Sequence, residues 1–521
     1  MSLFSLCRLE RAFSVCIKIS RNIDPPYNTG KDFVYPDNFT DSIENYKVIT
    51  GQTDADGKNI SSNSETSGRY HTDWLNMMYP RLRLARNLLA DNGVIFISID
   101  DNEVDNLKKI CNEIFGEDNF IANAIWRSTD NSNNDAKRFS CDHNYTIIYS
   151  MSTSWLPIRM FDESKHTHFK NPDNDPRGAY FDGNPLNSPN PRKNLTYDII
   201  SPHGHVISPP KNGWRWSAET MEDKISIGEI RFTNDGKSIR RRTYLCDMNG
   251  LPPSTLWIDL ERTGHNRQAK YELLKIMPED VFNTPKPVKL LKYIMEISGV
   301  STDDIVLDFF SGSATTAHAV MQLNAEDNSN RKFIMVQLPE PTDEKDEAYK
   351  VGYKNICEIG KERIRRAGEK IKEEAGLTAQ NLDIGFKVLK LDSSNIRKWQ
   401  PDYENLEHSL IDFVENYLEG RTELDVVYEI MLKYGLDLTY PVDESMIDGK
   451  KVYSIGFGAL IVCLDNEITT EIAKGILDLV NGFKPETTRV VFKDNGFKTD
   501  SNKTNIKEIL KCGGIEEFIT L

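Results

Sequence analysis

Residues 304–327 read DIVLDFFSGSATTAHAVMQLNAED. The continuous apolar run Ile305–Leu307, carried on by Phe309 and Phe310, suits a strand of a parallel sheet buried on both faces. Small residues follow at Ser311, Gly312, Ser313 and Ala314, and TTAHAVMQLNAED then reads as a helix. A strand passing through a small-residue turn into a helix is where a doubly wound sheet holds a nucleoside-type cofactor. Gly312 lets backbone and ligand approach closely, and Ala314 is small enough to help. Thr315 or Thr316 can cap the helix, whose N-terminal amides favour a carboxylate such as that of a methionine group. Phe310 can lie against an adenosine or near a positively charged sulfonium. One such turn is also an ordinary strand-to-helix connection, so its surroundings must decide.

Outward from this stretch the same rhythm holds. PKPVKLLKYIMEISG (285–299) reads as a helix before it, RKFIMVQL (331–338) as a strand after it, and YKNICEIGKERIRRAGEKIKEEAG (353–376) as a long charged helix ending at Gly376. Far upstream, DWLNMMYPRLRLARNLLADNG (73–93) and EVDNLKKICNEIFG (103–116) read as helices, while VIFISIDD (94–101) and NYTIIYS (144–150) read as strands. Alternating strands and helices indicate an α/β domain. Between the two stretches, residues 151–280 break the rhythm. They are rich in Pro, Asn, Gly and aromatics, with Trp214, Trp216, Trp257 and the basic cluster Arg240, Arg241 and Arg242. An inserted, partly β domain is expected there. The tail, 386–521, has strand-like VLKL and YSIGFGALIVCL and the helical ITTEIAKGILDLVNGF, which indicate a smaller α+β domain. The expected organisation is therefore 1–150 and 281–385 as two halves of one α/β domain, 151–280 as the insertion and 386–521 as a separate unit.

A second candidate site is Asp24-Pro25-Pro26-Tyr27, after a mixed apolar run at 13–23 and before a polar stretch at 31–69. Consecutive prolines lack backbone donors and have fixed φ, so this turn is stiff and its carbonyls are free to accept. A carboxylate and a carbonyl can together accept both hydrogens of an exocyclic amine, keeping the nitrogen lone pair aimed at an incoming group. Tyr27 can stack on a base, an interaction worth about 1–3 kcal/mol. Four residues of this kind also make a rigid surface turn.

The bulk properties narrow the class. A chain of 521 residues exceeds what one core usually organises. Its formal net charge of -15 disfavours a nucleic-acid binder at first sight, but a large acidic enzyme can still carry a local basic cleft. The 8 cysteines are scattered without CxxC pairs, which suggests reduced, mostly buried thiols. His166/His168 and His203/His205 have no neighbours that complete a zinc set, so no metal site is expected. No apolar run is long enough to span a bilayer, and the N-terminus is interrupted by charges, so a cytoplasmic protein is expected.

Taken together, the two sites and their long flanking runs resemble a known family. DPPYNTGKDFVYPDNF (24–39), HTDWLNMMYPRLRLARNLLADNGVIFISIDDNE (71–103), NTPKPVKLLKYIM (283–295), IVLDFFSGSATTAHAVMQLN (305–324), SNRKFIMVQLPE (329–340) and ICEIGKERIRRAGEKI (356–371) look like the modification subunit of type III restriction-modification systems. The order of the sites is that of β-class amino-methyltransferases. The resemblance implies a Rossmann-like, circularly permuted sheet that uses S-adenosyl-L-methionine to methylate the N6 amine of adenine in double-stranded DNA, without a metal. On this resemblance Asp24, Pro25, Pro26 and Tyr27 are catalytic, with Asp24 and the Pro25 carbonyl holding the amine and Tyr27 stacking on a flipped adenine. Pro285, Lys286, Pro287, Asp308, Phe310, Gly312, Ser313, Thr315, Gln337 and Glu340 line the cofactor pocket, and Asp100 and Asp101 face the same cleft. Arg215, Arg240, Arg241 and Arg242 of the insertion are candidates for DNA contacts. The expected partners are DNA, a second copy of the chain and a restriction subunit with helicase and nuclease activities. One departure stands out: KISRNI (18–23) puts Lys, Ser, Arg and Asn where the family has a clean apolar strand. An altered or truncated N-terminus is therefore expected, with a catalytically silent recognition subunit as one alternative and a solitary adenine methyltransferase as another.

Overall fold

The computed structural model describes residues 19–29, 69–161, 166–183, 186–376, 382–397, 417–418 and 420–521. They form two compact units, one of residues 156–255 with 296–299 and one of the remainder. The polar stretch 31–69 and the first 18 residues lie almost wholly outside the described residues.

The larger unit is built on a seven-stranded sheet. Its order is Leu256–Trp257, Phe120–Arg127, His143–Ser150, Val94–Ile99, Ile19–Ile23, Ile305–Asp308 and Lys332–Met335. Only His143–Ser150 runs antiparallel to its neighbours; the other pairings are parallel. The strand leading into Asp24 is first in the chain yet central in the sheet. It pairs with Val94–Ile99 on one side and with Ile305–Asp308, almost the last strand to be made, on the other. Chain order and sheet order are thus permuted as expected. The departure at KISRNI does not prevent the strand: Ile19–Ile23 forms, because backbone pairing on both sides satisfies its polar groups whatever its side chains.

Val94–Ile99 is buried at every position, as a central parallel strand requires. Its Ile95, Ile97 and Ile99 pack with Trp74, Met77 and Leu82 of the helix Arg69–Leu88 and with Leu107 of the helix Val104–Phe115. A second core joins Leu273 and Met277, Ala317 and Met321 of the helix Thr315–Asp327, and Ile359, Ile364 and Ala367 of the helix Ile356–Ala375. The strand FIANAIWR (Phe120–Arg127) was not anticipated. Residues 256–280, expected in the insertion, belong to this sheet unit: Trp257 pairs with Trp126 and the helix Asn266–Leu274 enters the second core.

The tail carries its own five-stranded sheet, Val442–Ile447, Lys450–Ile455, Leu460–Cys463, Arg489–Phe492 and Glu517–Thr520. Alternate residues feed two cores, Tyr453, Leu460 and Val462 on one face and Val452, Ile461 and Cys463 on the other. VLKL is not a strand; Val388, Leu389 and Leu391 are exposed. Nor are the cysteines mostly buried, since Cys141, Cys246 and Cys512 are exposed and only Cys111 and Cys463 are fully covered; Cys7 and Cys16 lie outside the described residues. No helix among the described residues is long and apolar enough to cross a membrane.

The smaller unit holds a three-stranded antiparallel sheet, Tyr180–Asp182, Ile239–Tyr244 and Ile230–Phe232. Its core is Ile199, Ile207, Trp214, Met221, Ile230 and Ile239.

Candidate active site

Parallel pairing brings the carboxyl ends of Ile19–Ile23, Val94–Ile99 and Ile305–Asp308 to one edge of the sheet, where ligands bind in open α/β folds. Asp24 leaves the central strand just after the fully buried Ile23. Its Oδ1 lies 3.1 Å from Lys286 Nζ. That contact is an ion pair without hydrogen-bond alignment, and the buried Oδ1 takes no hydrogen bond among the described residues. The ammonium compensates the charge, and the oxygen retains capacity for an aligned hydrogen bond from a ligand. Lys286 also donates to the Tyr27 hydroxyl at 2.7 Å and stands 4.9 Å from the Tyr27 ring centre. Burial, with Asp24 close by, pushes the Tyr27 hydroxyl well above its ordinary pKa, so it stays a neutral phenol. Trp74 Nε1 donates to the Pro26 carbonyl at 2.6 Å, so that carbonyl is engaged and the turn is pinned to the helix behind it.

Asn28 follows with φ 61°, a left-handed conformation in which asparagine is one of the few tolerated residues. The fully buried Glu103 holds it: Glu103 Oε1 lies 2.6 Å from both Asn28 Nδ2 and His71 Nδ1, and Oε2 accepts from Asn106 at 2.8 Å. One carboxylate thus ties the Asp24 turn to both helices beneath it. Glu103→Ala is expected to lower the melting temperature by several degrees, in keeping with about 1–3 kcal/mol for a buried hydrogen-bonding centre. A thermal melt unchanged from the wild type would refute this anchoring role. Asp100 accepts from Asn102 and adds to the rise at Tyr27, so it stands by the same site, while Asp101 accepts from the Tyr145 hydroxyl at 2.9 Å.

Next to this turn is the buried Asp308, which accepts from the Thr316 hydroxyl at 2.6 Å and from the Phe310 amide at 3.1 Å. Burial raises its pKa to about 7 despite both hydrogen bonds, and Asp24 adds to the rise. Gly312 has φ 49° and donates its amide to Gln337 Oε1 at 2.8 Å; Gln337 in turn donates to Glu340 at 3.1 Å. Gln337 and Glu340, expected to line the cofactor pocket, thereby stand at the Gly312 turn. Neither threonine caps the helix Thr315–Asp327: the N-cap is Ala314, with φ 59°, and no side chain bonds to the cap. Both hydroxyls are occupied elsewhere, Thr316 by Asp308 and Thr315 by Arg363 Nη1 at 2.6 Å.

Arg363 was not anticipated. It is fully buried and also donates to Ser313 Oγ at 2.8 Å, while its Nε and Nη2 have no partner among the described residues. Burial pushes its pKa down to about 10, and Glu272 partly restores it. The signal was present in ICEIGKERIRRAGEKI, where Arg363 falls on the apolar stripe Ile359, Ala367 and Ile371. Gly360 lets this helix approach the turn: a Cβ there would lie 3.3 Å from the Gly312 carbonyl oxygen. Glu103 had no comparable signal beside Asp100 and Asp101.

In the smaller unit the four arginines differ. Arg242 is buried and paired with Asp173, Asp175 and Asp182, with its guanidinium 3.3 Å from the Tyr180 ring centre, so it braces the sheet. Arg241 pairs with Glu229 at 2.8 Å, and Arg215 and Arg241 both stand beside the Trp216 ring. Arg215 and Arg240 are exposed.

Residues 22–367 match the family N6_N4_Mtase, described as DNA methylase. The Mod subunit of the type III restriction-modification enzyme StyLTI of Salmonella typhimurium is 38% identical over 376 residues, covering 70% of this chain and 55% of that protein. The EcoP15I Mod subunit of Escherichia coli is 31% identical over 545 residues, 96% of this chain and 80% of its own. The chain therefore spans little more than half the length of the Salmonella relative. Among solved structures, the PvuII DNA methyltransferase (cytosine-N4-specific) aligns with 68% of this chain at a TM-score of 0.32 and 11% identity.

Proposed function

Because the chain belongs to the DNA methylase family, and within it to the modification subunits of type III restriction-modification enzymes, we propose that it methylates the N6 amine of adenine in duplex DNA. The observation that carries this reading is the juxtaposition of Asp24 and Asp308 at the ends of adjacent central strands, with Asp24 Oδ1 beside Lys286 and accepting no aligned hydrogen bond among the described residues.

Asp24 Oδ1 accepts one hydrogen of the amine, and the Pro25 carbonyl accepts the other, the Pro26 carbonyl being taken by Trp74. Held in this way, the nitrogen lone pair points out of the ring plane toward the Asp308 side. Positioning of this kind supplies much of the rate in a direct transfer between two bound groups. Tyr27, neutral and held at its hydroxyl by Lys286, offers its ring to the base. S-adenosylmethionine supplies the methyl group as an electrophilic sulfonium. The pocket suits such a cationic ligand: Asp308 is a buried carboxylate to which no cation is bonded among the described residues, and Gly312 adds no side chain to the turn, where a Cβ would lie 3.4 Å from Phe282 Cζ. Lys286, expected at the cofactor, serves Asp24 and Tyr27 instead in this reading. Arg215, Arg240 and Arg241 are the arginines proposed for DNA, while Arg242 acts through the sheet it braces. A second copy of the chain and a restriction subunit are the proposed partners, and the cytoplasm the site of action.

Expression in a host without adenine methylation, followed by sequencing sensitive to modified adenine, tests the proposal. One short motif methylated on one strand is expected. Unmodified DNA from folded protein would favour a silent recognition subunit instead.

Cofactor affinity should also depend on pH. A cationic ligand binds the ionised form of Asp308 better, and that form grows as pH rises through about 7. Affinity is therefore expected to tighten with rising pH, by up to about tenfold per unit below that point, and to level off above it. Calorimetric titration of Asp308→Asn should show no such slope; a wild-type profile equally flat would refute the assignment.

A further inference from the structure

The strands Phe120–Arg127 and His143–Ser150 are joined by a loop, residues 128–142, on the same sheet edge as Asp24. Its two stems stand at the rim of the site. Trp126 and Asn144 face each other in the strand pairing. The Trp126 ring centre lies 5.6 Å from Lys286 Nζ, the ammonium that pairs with Asp24.

The loop is braced internally. Ser128 N donates to the Asp142 carbonyl at 3.0 Å, Ser132 Oγ to the Asp142 carboxylate at 2.6 Å, and Asn133 N to Ser140 Oγ at 2.7 Å. Arg127 donates to the carbonyls of Thr129 and Asp130. This brace holds out Phe139, which is 94% exposed, more than any other large apolar side chain among the described residues. Single exposed apolar residues are common. This one differs in its place and in its neighbours, the exposed cations Lys137 and Arg138. Of the loop's three acids, Asp130 pairs with Arg267 at 2.9 Å, Asp142 is turned inward onto Ser132 and Ser140, and Asp135 is exposed. An aromatic ring flanked by two cations suits a base stack flanked by phosphates.

We propose that Phe139 enters the DNA duplex beside the target and fills the gap left when the adenine is turned out toward Asp24. An apolar wedge between base steps stabilises an unstacked duplex, and Lys137 and Arg138 would hold the adjoining phosphates. The inference rests on the methyltransferase reading above and adds a positioning residue to it.

The test uses the full chain and a duplex containing the motif found by sequencing, in two forms. One is fully paired; in the other the base opposite the target adenine is missing. With the paired duplex, Phe139→Ala is expected to lower kcat/KM by about ten- to a hundredfold, and Phe139→Leu to recover most of it. With the second duplex, where no pair must be broken, the defect should shrink to less than about threefold. In parallel, 2-aminopurine at the target should brighten on binding wild type and stay dark with Phe139→Ala. Cofactor affinity and melting temperature should not change, since the side chain is exposed. Wild-type activity of Phe139→Ala on the paired duplex would overturn the proposal, as would an equal loss on both duplexes. A wild-type chain that methylates neither duplex would instead sink the methyltransferase reading on which the proposal stands.

Discussion

Asp24→Ala is expected to lower the rate of methylation by about a hundred- to a thousandfold while leaving S-adenosylmethionine affinity within about twofold. The side chain's value lies in one oxygen. Asp24 Oδ1 is buried and, among the described residues, is held by the ion pair with Lys286 at 3.1 Å and by no aligned hydrogen bond. A substrate amine would satisfy it, and that gain is realised only when the amine is held for transfer. Alanine removes the acceptor and leaves the hydrogen bonds of Asp308 and of the Gly312 turn in place, although the pKa of Asp308 loses the rise that Asp24 adds. Asp24→Asn keeps one acceptor oxygen but loses the charge opposite Lys286, so a smaller loss is expected. Single-turnover kinetics with saturating DNA separate these effects from binding. A variant that retains wild-type turnover would remove Asp24 from the chemistry.

Arg363→Met carries the second large effect, of a different kind. Arg363 reaches no substrate in the proposed reading; it holds the turn that does. Its Nη1 donates to Ser313 Oγ and Thr315 Oγ1, the residues on either side of the left-handed Ala314. Charge-assisted bonds of this sort contribute about 1.5–3 kcal/mol each, so the KM for S-adenosylmethionine should rise at least about tenfold. The fold should not suffer in proportion. Two guanidinium nitrogens are buried without partners among the described residues, and desolvation already pulls the pKa down to about 10. Methionine relieves that burial cost but leaves Ser313 Oγ and Thr315 Oγ1 without their donor, so the two effects offset in part. The expected signature is therefore a raised KM with kcat nearly kept and a melting temperature lowered by no more than a few degrees. Arg363→Lys should restore part of the affinity, since its ammonium reaches one of the two oxygens. A melting temperature that collapses while KM stays put would make Arg363 a packing residue only. His318 near it adds no charge, because burial and Arg363 hold its pKa at about 3.

Much of this protein was legible in order along the chain. Apolar runs such as VIFISI and IVLD are buried throughout, and TTAHAVMQLNAED forms a helix at the bounds its pattern implied. Periodicity and turn chemistry are local, so sequence suffices where one period dominates. Elsewhere they mislead. FIANAIWR escaped notice because its burial is mixed, and KISRNI looked unfit for a strand that nevertheless pairs on both sides. Residues 256–280 resembled the irregular segment before them, yet Trp257 completes the main sheet.

By itself, the sequence determined the α/β class, the two candidate turns and their residue types, since stiff prolines, small residues and a terminal carboxylate act through local geometry. Only the tertiary structure decided which groups meet. Lys286 joins Asp24 across a long chain separation, the buried Glu103 ties Asn28 to His71, and Arg363 reaches beneath Ser313. The reason is physical: burial and long-range pairing set the cost of each charge, and neither exists until distant strands lie side by side.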